Sequence, residues 1–214
     1  MSTGSADIKA QKAALREKVW ALLEDKGAAK PPFPIRGRIP NFQGAELAAQ
    51  KVRELPEWAA ATTIFANPDS AQRPVREAAL KDRKRVIMAT PRLRAGYLLL
   101  EPARCAGREF AASTIKGAFA LGSPLGQALP QAQLVITGCV AIEPRHGFRV
   151  GKGGGYGDIE IAKLRQARSI RPDTPIVTTV HELQIVDAVP VEPHDTRCDI
   201  IATPERVIRT TAPK

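Results

Sequence analysis

The sequence predicts an α/β protein, with three α/β/α layers around a mostly parallel central sheet. Three observations carry that expectation. Short, continuously apolar, β-branched runs recur along the chain, as in strands covered on both faces. Segments with helical apolar spacing fall between them, which implies right-handed crossovers. The 214 residues, 43% hydrophobic and 25% charged, suit one globular domain of ordinary size.

Residues 1–6 read as a flexible tail before a single domain over 7–214. From Lys9 to Glu24, charge alternates with Leu15, Val19, Trp20 and Leu22 at helical spacing, predicting an N-terminal helix. The stretch KPPFPIRGRIPNFQG, 30–44, is rich in Pro and Gly and reads as a long surface loop able to carry function. A helix over 45–53 follows it. Strands are then expected at 62–67, 85–90, 97–102, 134–142 and 175–180, with a terminal pair at 198–204 and 205–211. One helix is expected at 75–81. Another opens at Asp158, with Ile159, Ile161, Leu164 and Ala167 as its apolar members. In such a sheet, ligands sit beyond the C-terminal strand ends.

Several classes are disfavoured. Cys105, Cys139 and Cys198 are too few and too scattered for a disulfide framework or a C-x-x-C metal site, and are expected to be reduced and structural. His146, His181 and His194 form no H-E-x-x-H, and His146 and His181 read as surface or satisfied polar residues. No apolar run approaches a membrane span, and the N-terminus lacks the apolar core of a signal peptide. A cytoplasmic monomer or weak dimer, away from membranes, is expected. The net charge of +10 favours anionic partners. Nucleic acid stands behind small anions, on charge alone, because no aromatic RNA-binding motif or recognition helix accompanies it.

The most specific local signal is Gly-Lys-Gly-Gly-Gly-Tyr-Gly-Asp at 151–158. It fits neither G-x-x-x-x-G-K-[ST] nor G-x-G-x-x-G, since Lys152 is followed by Gly153 and position 156 is Tyr. Arg149 and Lys152 nevertheless set two cations beside unshielded backbone N–H groups at a helix start, which makes an anion site. Asp158 is either a helix N-cap or a metal ligand on these residues alone.

Taken with Lys12-Ala-Ala-Leu-Arg16, and with Pro190-Val-Glu-Pro-His194-Asp195 followed by Asp199 and Thr203, the segment Arg149–Asp158 resembles the 5-formyltetrahydrofolate cyclo-ligase family in order and spacing. The resemblance implies a reaction dependent on ATP and Mg2+. The formyl oxygen of 5-formyltetrahydrofolate takes the γ-phosphoryl group, N10 closes onto the activated carbon, and phosphate leaves. It further implies that Lys12 and Arg16, one helical turn apart, meet ATP phosphates. Arg149, Gly151, Lys152, Gly153, Gly154, Gly155 and Tyr156 would wrap them, with Arg149 and Lys152 as the catalytic cations. Tyr156 and Asn67 would contact the substrate ring. Asp158 and Asp195 would hold magnesium, with Asp199 in support.

Two departures fall on the folate side. Members usually carry two tyrosines before the aspartate, and here the second position is Gly157. Many also carry a glutamate in the segment after the first strand, and Asn67–Arg73 has none. The segments 36–46, 67–76 and 90–100 resemble a divergent branch, that of the methenyltetrahydrofolate synthetase domain-containing proteins. The departures predict ordinary nucleotide binding with weak or absent 5-formyltetrahydrofolate turnover. The alternatives are a paralogue that acts on another small substrate or has lost turnover, and a basic nucleic-acid-binding accessory.

Overall fold

A computed structural model describes residues 3–126 and 128–211. Residues 1 and 2 of the expected tail lie outside the described residues. Helix α1 (Thr3–Asp25) already takes in the rest of that segment, and Gln11 donates to Asp7 one turn earlier at 2.9 Å. It docks through Val19 and Trp20 as expected, with Leu15 packed beside them, and through Leu23 in place of Leu22. Strands β1 (Ala29–Lys30) and β2 (Asn41–Phe42) pair antiparallel across the proline-rich loop, whose Ile35 and Ile39 are buried with the apolar face of α1.

Helix α2 (Ala45–Arg53) has the expected span, and α3 (Pro56–Ala60) follows it. Next come β3 (Thr63–Ala66), α4 (Arg73–Lys81), β4 (Arg85–Ala89) and β5 (Tyr97–Leu100). Three short helices, α5 (Pro102–Cys105), α6 (Glu109–Ala112) and α7 (Ile115–Leu121), lead to the edge strand β6 (Ser123–Leu125). The second half holds β7 (Leu134–Thr137), β8 (Ala141–Ile142), β9 (Arg149–Val150), α8 (Tyr156–Gln166), β10 (Ile176–Thr179), β11 (Ile200–Ala202) and β12 (Val207–Arg209).

Eight strands form the central sheet in the order β12–β11–β10–β7–β3–β4–β5–β6. The five from β11 to β4 are parallel, β12 and β5 run against them, and β6, antiparallel to β5, shares the direction of the five. The links into β5 and β12 are too short for a crossover, so those strands return antiparallel. Alternate strand residues enter opposite cores. Ile64, Ala66, Val86, Met88 and Ile136 cluster with Val52 of α2 and Val75 of α4, while Phe65, Ile87 and Val135 cluster with Ile161 and Leu164 of α8. Helices therefore cover both faces, giving the three layers. Among the described residues no helix is long and apolar enough to cross a membrane.

The expected strand 134–142 is two strands. The chain leaves the sheet at Gly138, where a Cβ would stand 2.6 Å from Gln72 Oε1, and β8 then pairs with β9 in a separate hairpin. From β3 the chain first builds outward through β4 to β6, then returns to place β7 on the other side of β3. The strand order thus reverses between β3 and β7. Such a reversal leaves a crevice at the carboxyl ends of the two strands, here at Asn67 and Gly138.

Candidate active-site cleft

A cleft of about 900 Å³ opens at that point, walled by α1, the proline-rich loop, residues 67–70, the glycine loop and residues 192–195. Every residue named above as a phosphate, substrate or metal ligand lines it, from Lys12 and Arg16 to Asp158 and Asp195. Asp199 does not. Its carboxylate accepts from the Ile176 N–H at 2.9 Å, a bond that holds β10 beside the start of β11.

The glycine loop is held from two sides. Arg16 Nε donates to the Gly151 carbonyl at 2.7 Å, and Lys152 Nζ lies 3.1 Å from Asp69 Oδ1. Gly155 has φ +65° and forms the N-terminal boundary of α8, a conformation that disfavours any side chain. The helix starts at Tyr156, so Asp158 is not its N-cap. Its N–H donates to the Gly155 carbonyl at 3.1 Å, and its Oδ1 accepts from Arg149 Nη2 at 2.9 Å and from the Thr196 N–H at 3.1 Å. A carboxylate in the first helical turn is also favoured by the helix dipole.

Arg149 is nearly sealed behind the loop, and its Nε has no hydrogen-bond partner among the described residues. A Cβ at position 157 would lie 3.2 Å from Arg149 Nη1. Gly157, the departure noted in the sequence, thereby leaves the guanidinium its room. The Tyr156 ring folds back over Gly154, whose Cβ would come within 2.7 Å of it.

On the α1 side, Lys12 Nζ is buried between Glu192 Oε2 at 3.0 Å and Asp195 Oδ2 at 2.6 Å. The expected phosphate ligand thus already neutralises two carboxylates, one of which, Glu192, was not singled out from the sequence. One ligand atom each from Glu192, His194 and Asp195 lie within 4.8 Å of one another. Asp158 and Asp195 each have one oxygen fixed by a cation, and among the described residues Asp158 Oδ2 makes no hydrogen bond. The donor set fits a hard cation bound by one or two carboxylates, with phosphate oxygens and water completing its shell.

The floor holds what the sequence reading missed. Glu160, 3% exposed, receives a hydrogen bond from Asn67 Nδ2 on its Oε2. Burial, with Asp69 adding to it, pushes the Glu160 carboxyl up to about 8 against the opposing pull of Lys152, Arg149 and Asn67. Asn67 Oδ1 in turn accepts from the Gly138 N–H at 3.2 Å. Arg76, 1% exposed, donates to the carbonyls of Ser113 at 2.9 Å, Asp69 at 3.1 Å, Pro68 at 3.3 Å and also Asn67, clamping the 67–69 turn. Burial lowers its pKa to about 9. Both residues carried a sequence signal, a charge within an apolar helical stripe: Glu160 beside Ile161 and Leu164, Arg76 beside Val75 and Ala79. Ile159, expected on that apolar face, points to solvent instead.

The remaining expectations concern residues outside the cleft chemistry. All three cysteines are free and buried. His181 accepts on Nδ1 from the Leu183 N–H at 3.1 Å, capping the short turn at 182–184, and burial lowers its pKa.

The sequence profile of the 5-formyltetrahydrofolate cyclo-ligase family matches residues 8–204. The methenyltetrahydrofolate synthase domain-containing protein of Mus musculus is 38% identical over 206 residues, covering 93% of this chain and 55% of that protein. The protein of the same name from Homo sapiens is 36% identical over 203 residues, covering 92% and 52%. The chain spans about half the length of these curated relatives. Among solved structures, Aquifex aeolicus 5,10-methenyltetrahydrofolate synthetase superposes with a TM-score of 0.57 at 19% identity, over 92% of both chains. The synthetase of Mycoplasma pneumoniae gives 0.53 at 14% identity, over 89% of this chain and 97% of that one. These two likenesses establish the shared fold. Because the profile match runs from α1 through β11, and so through each wall of the cleft, the chain belongs to the 5-formyltetrahydrofolate cyclo-ligase family.

Proposed function

We propose that the cleft converts 5-formyltetrahydrofolate and ATP to 5,10-methenyltetrahydrofolate, ADP and phosphate in the presence of Mg2+. One observation carries the reading. The glycine loop, Lys12, Arg16, Arg149 and Lys152, and the carboxylates of Asp158 and Asp195 converge at the strand-order reversal around a cleft of about 900 Å³.

The formyl oxygen attacks the γ-phosphorus as the bond to ADP breaks. N10 then adds to the activated carbon and loses its proton, and the C–O bond breaks to release phosphate. Phosphoryl transfer of this kind needs mainly positioning and charge neutralisation. Lys152 and the unshielded amides of residues 151–155 supply it at the γ-phosphoryl oxygens, backed by Arg149. Arg16 and Lys12 lie on the α1 side, toward the rest of the triphosphate. Asp158 and Asp195 would hold the magnesium ion through their free oxygens, and that ion, when bound, neutralises phosphate charge. Tyr156 and Asn67 face the substrate ring.

Incubating the protein with ATP, magnesium and 5-formyltetrahydrofolate should generate the near-ultraviolet absorbance of the methenyl product. A folded, ATP-binding sample that produces no such band would instead support a relative acting on another small substrate, or one without turnover.

A further inference from the structure

Helix α8 turns a carboxyl into the sheet-facing layer at Glu160. A buried carboxyl is costly unless its polar atoms are used, and only one oxygen has a use inside the protein. Oε2 accepts from Asn67 Nδ2. The Asn67 amide is fixed in that orientation, because its Oδ1 takes the Gly138 N–H at 3.2 Å and Arg76 clamps the turn that carries it. Glu160 Oε1 makes no hydrogen bond among the described residues. Nor is it among the sealed, partnerless atoms there, which are Gln72 Oε1, Tyr97 OH, Thr137 Oγ1 and Arg149 Nε. Since Glu160 lines the cleft, Oε1 is an oriented acceptor that opens into it. One partner, itself fixed by the Gly138 N–H and the Arg76 clamp, holds the carboxyl in place, and preorganisation of this kind favours selection by hydrogen bonding.

We propose that Glu160 is a specificity-determining residue of the cleft, whose Oε1 accepts a hydrogen bond from the N–H edge of the bicyclic substrate ring. The proposal rests on the function given above. A reduced folate presents an amino group and a ring N–H side by side, a donor edge that the Glu160 carboxyl complements as it releases its proton to solvent on binding, since a protonated Oε1 would meet it with another donor. The phosphate side of the cleft, by contrast, is lined with cations and amides that attract anions. Glu160, on the floor against Asn67, therefore reads the ring, while the cations and amides of the glycine loop take the nucleotide phosphates.

The test measures equilibrium binding of ATP, of 5-formyltetrahydrofolate and of its analogue lacking the 2-amino group, each to the wild-type protein and to Glu160→Gln. The substitution keeps the side-chain shape and an oxygen for Asn67. The wild-type protein should bind the deamino analogue about 10- to 100-fold more weakly than the parent, the cost of one well-placed buried hydrogen bond. Glu160→Gln should bind both folates alike, at the weaker level, with ATP affinity unchanged. Undiminished discrimination in Glu160→Gln would overturn the proposal, and so would an equal loss of ATP affinity, which marks a merely structural role. If the variant does not fold, the analogue comparison on the wild-type protein still decides, since indifference to the amino group overturns the assignment. Failure of the wild-type protein to bind either folate would instead remove the proposed function itself, and this inference with it.

Discussion

The two sides of the cleft are assembled in opposite ways. The proposed phosphate wall is a contiguous stretch, 149–158, faced by two cations one turn apart on α1, and it offers backbone amides and side-chain charge, with Lys152 exposed and Arg149 and Lys12 buried. The floor gathers Asn67, Arg76, Gly138 and Glu160 from four separate segments, and its polar side chains are buried and linked to one another. Anion binding tolerates such a wall because Coulomb attraction is long-ranged and loosely directional. Selecting a neutral ring does not, because a hydrogen bond is short and directional. The first side should therefore respond to mutation in catalysis, and the second in stability and selectivity.

The largest effect should come from the clamp beneath the floor. Arg76→Met removes donors from buried carbonyls and should cost about 3 to 5 kcal/mol of stability, read as a shift in the denaturation midpoint. A loss within the range of an ordinary surface change would mean that the 67–69 turn holds without it. On the phosphate wall, Lys152→Ala should lower kcat/KM about 10²- to 10³-fold while the thermal midpoint barely moves, as Lys152 is half-exposed. Equal stability losses at both sites would erase the contrast between the walls.

A third expectation concerns pH. Glu160 sits near 8 in the folded protein against 4.5 as the ordinary value, so the native state holds this proton more tightly than the unfolded chain. Its contribution to stability is complete below pH 4.5 and is lost as pH rises through 8. Wild-type stability should fall by on the order of 3 kcal/mol between pH 5 and pH 9 relative to Glu160→Gln, measured by parallel denaturation without metal. Parallel pH profiles would show that the carboxyl is not held as buried as its surroundings indicate. The smallest effect is expected at the proposed metal ligands. Asp158→Asn and Asp195→Asn should each weaken magnesium-dependent nucleotide binding about 10-fold, with metal-free nucleotide binding retained. Unchanged metal dependence in both variants would remove the assignment.

The same contrast explains what was legible in the sequence. Strands β3, β4, β7, β10 and β11 announce themselves as β-branched apolar runs because both their faces are covered. Strand β6, Ser-Pro-Leu, has no such signature, since an edge strand needs neither full burial nor every backbone donor. Helices α5 to α7 are too short to display a helical period. In the cleft, the phosphate wall was readable because neighbouring residues do neighbouring work. Of the floor, Asn67 was readable through the family resemblance, but its partner Glu160 was not, because the two are 93 positions apart and Glu160 alone looks like an ordinary polar residue. The segment 67–73 does lack a glutamate, yet the cleft still has a carboxyl against Asn67, supplied by α8 from the other side. Under the role proposed for Glu160, the carboxylate missing from that segment is replaced from α8. Gly157 likewise has a local cause in the space that Arg149 occupies.

The most direct measurement follows ADP and methenyl product in the same reaction, with 5-formyltetrahydrofolate, ATP and magnesium at saturation. Two walls serving one coupled reaction predict one ADP for each methenyl formed, and ADP release that depends on the folate. ADP release without methenyl product, or the same rate of release with and without folate, would contradict the account.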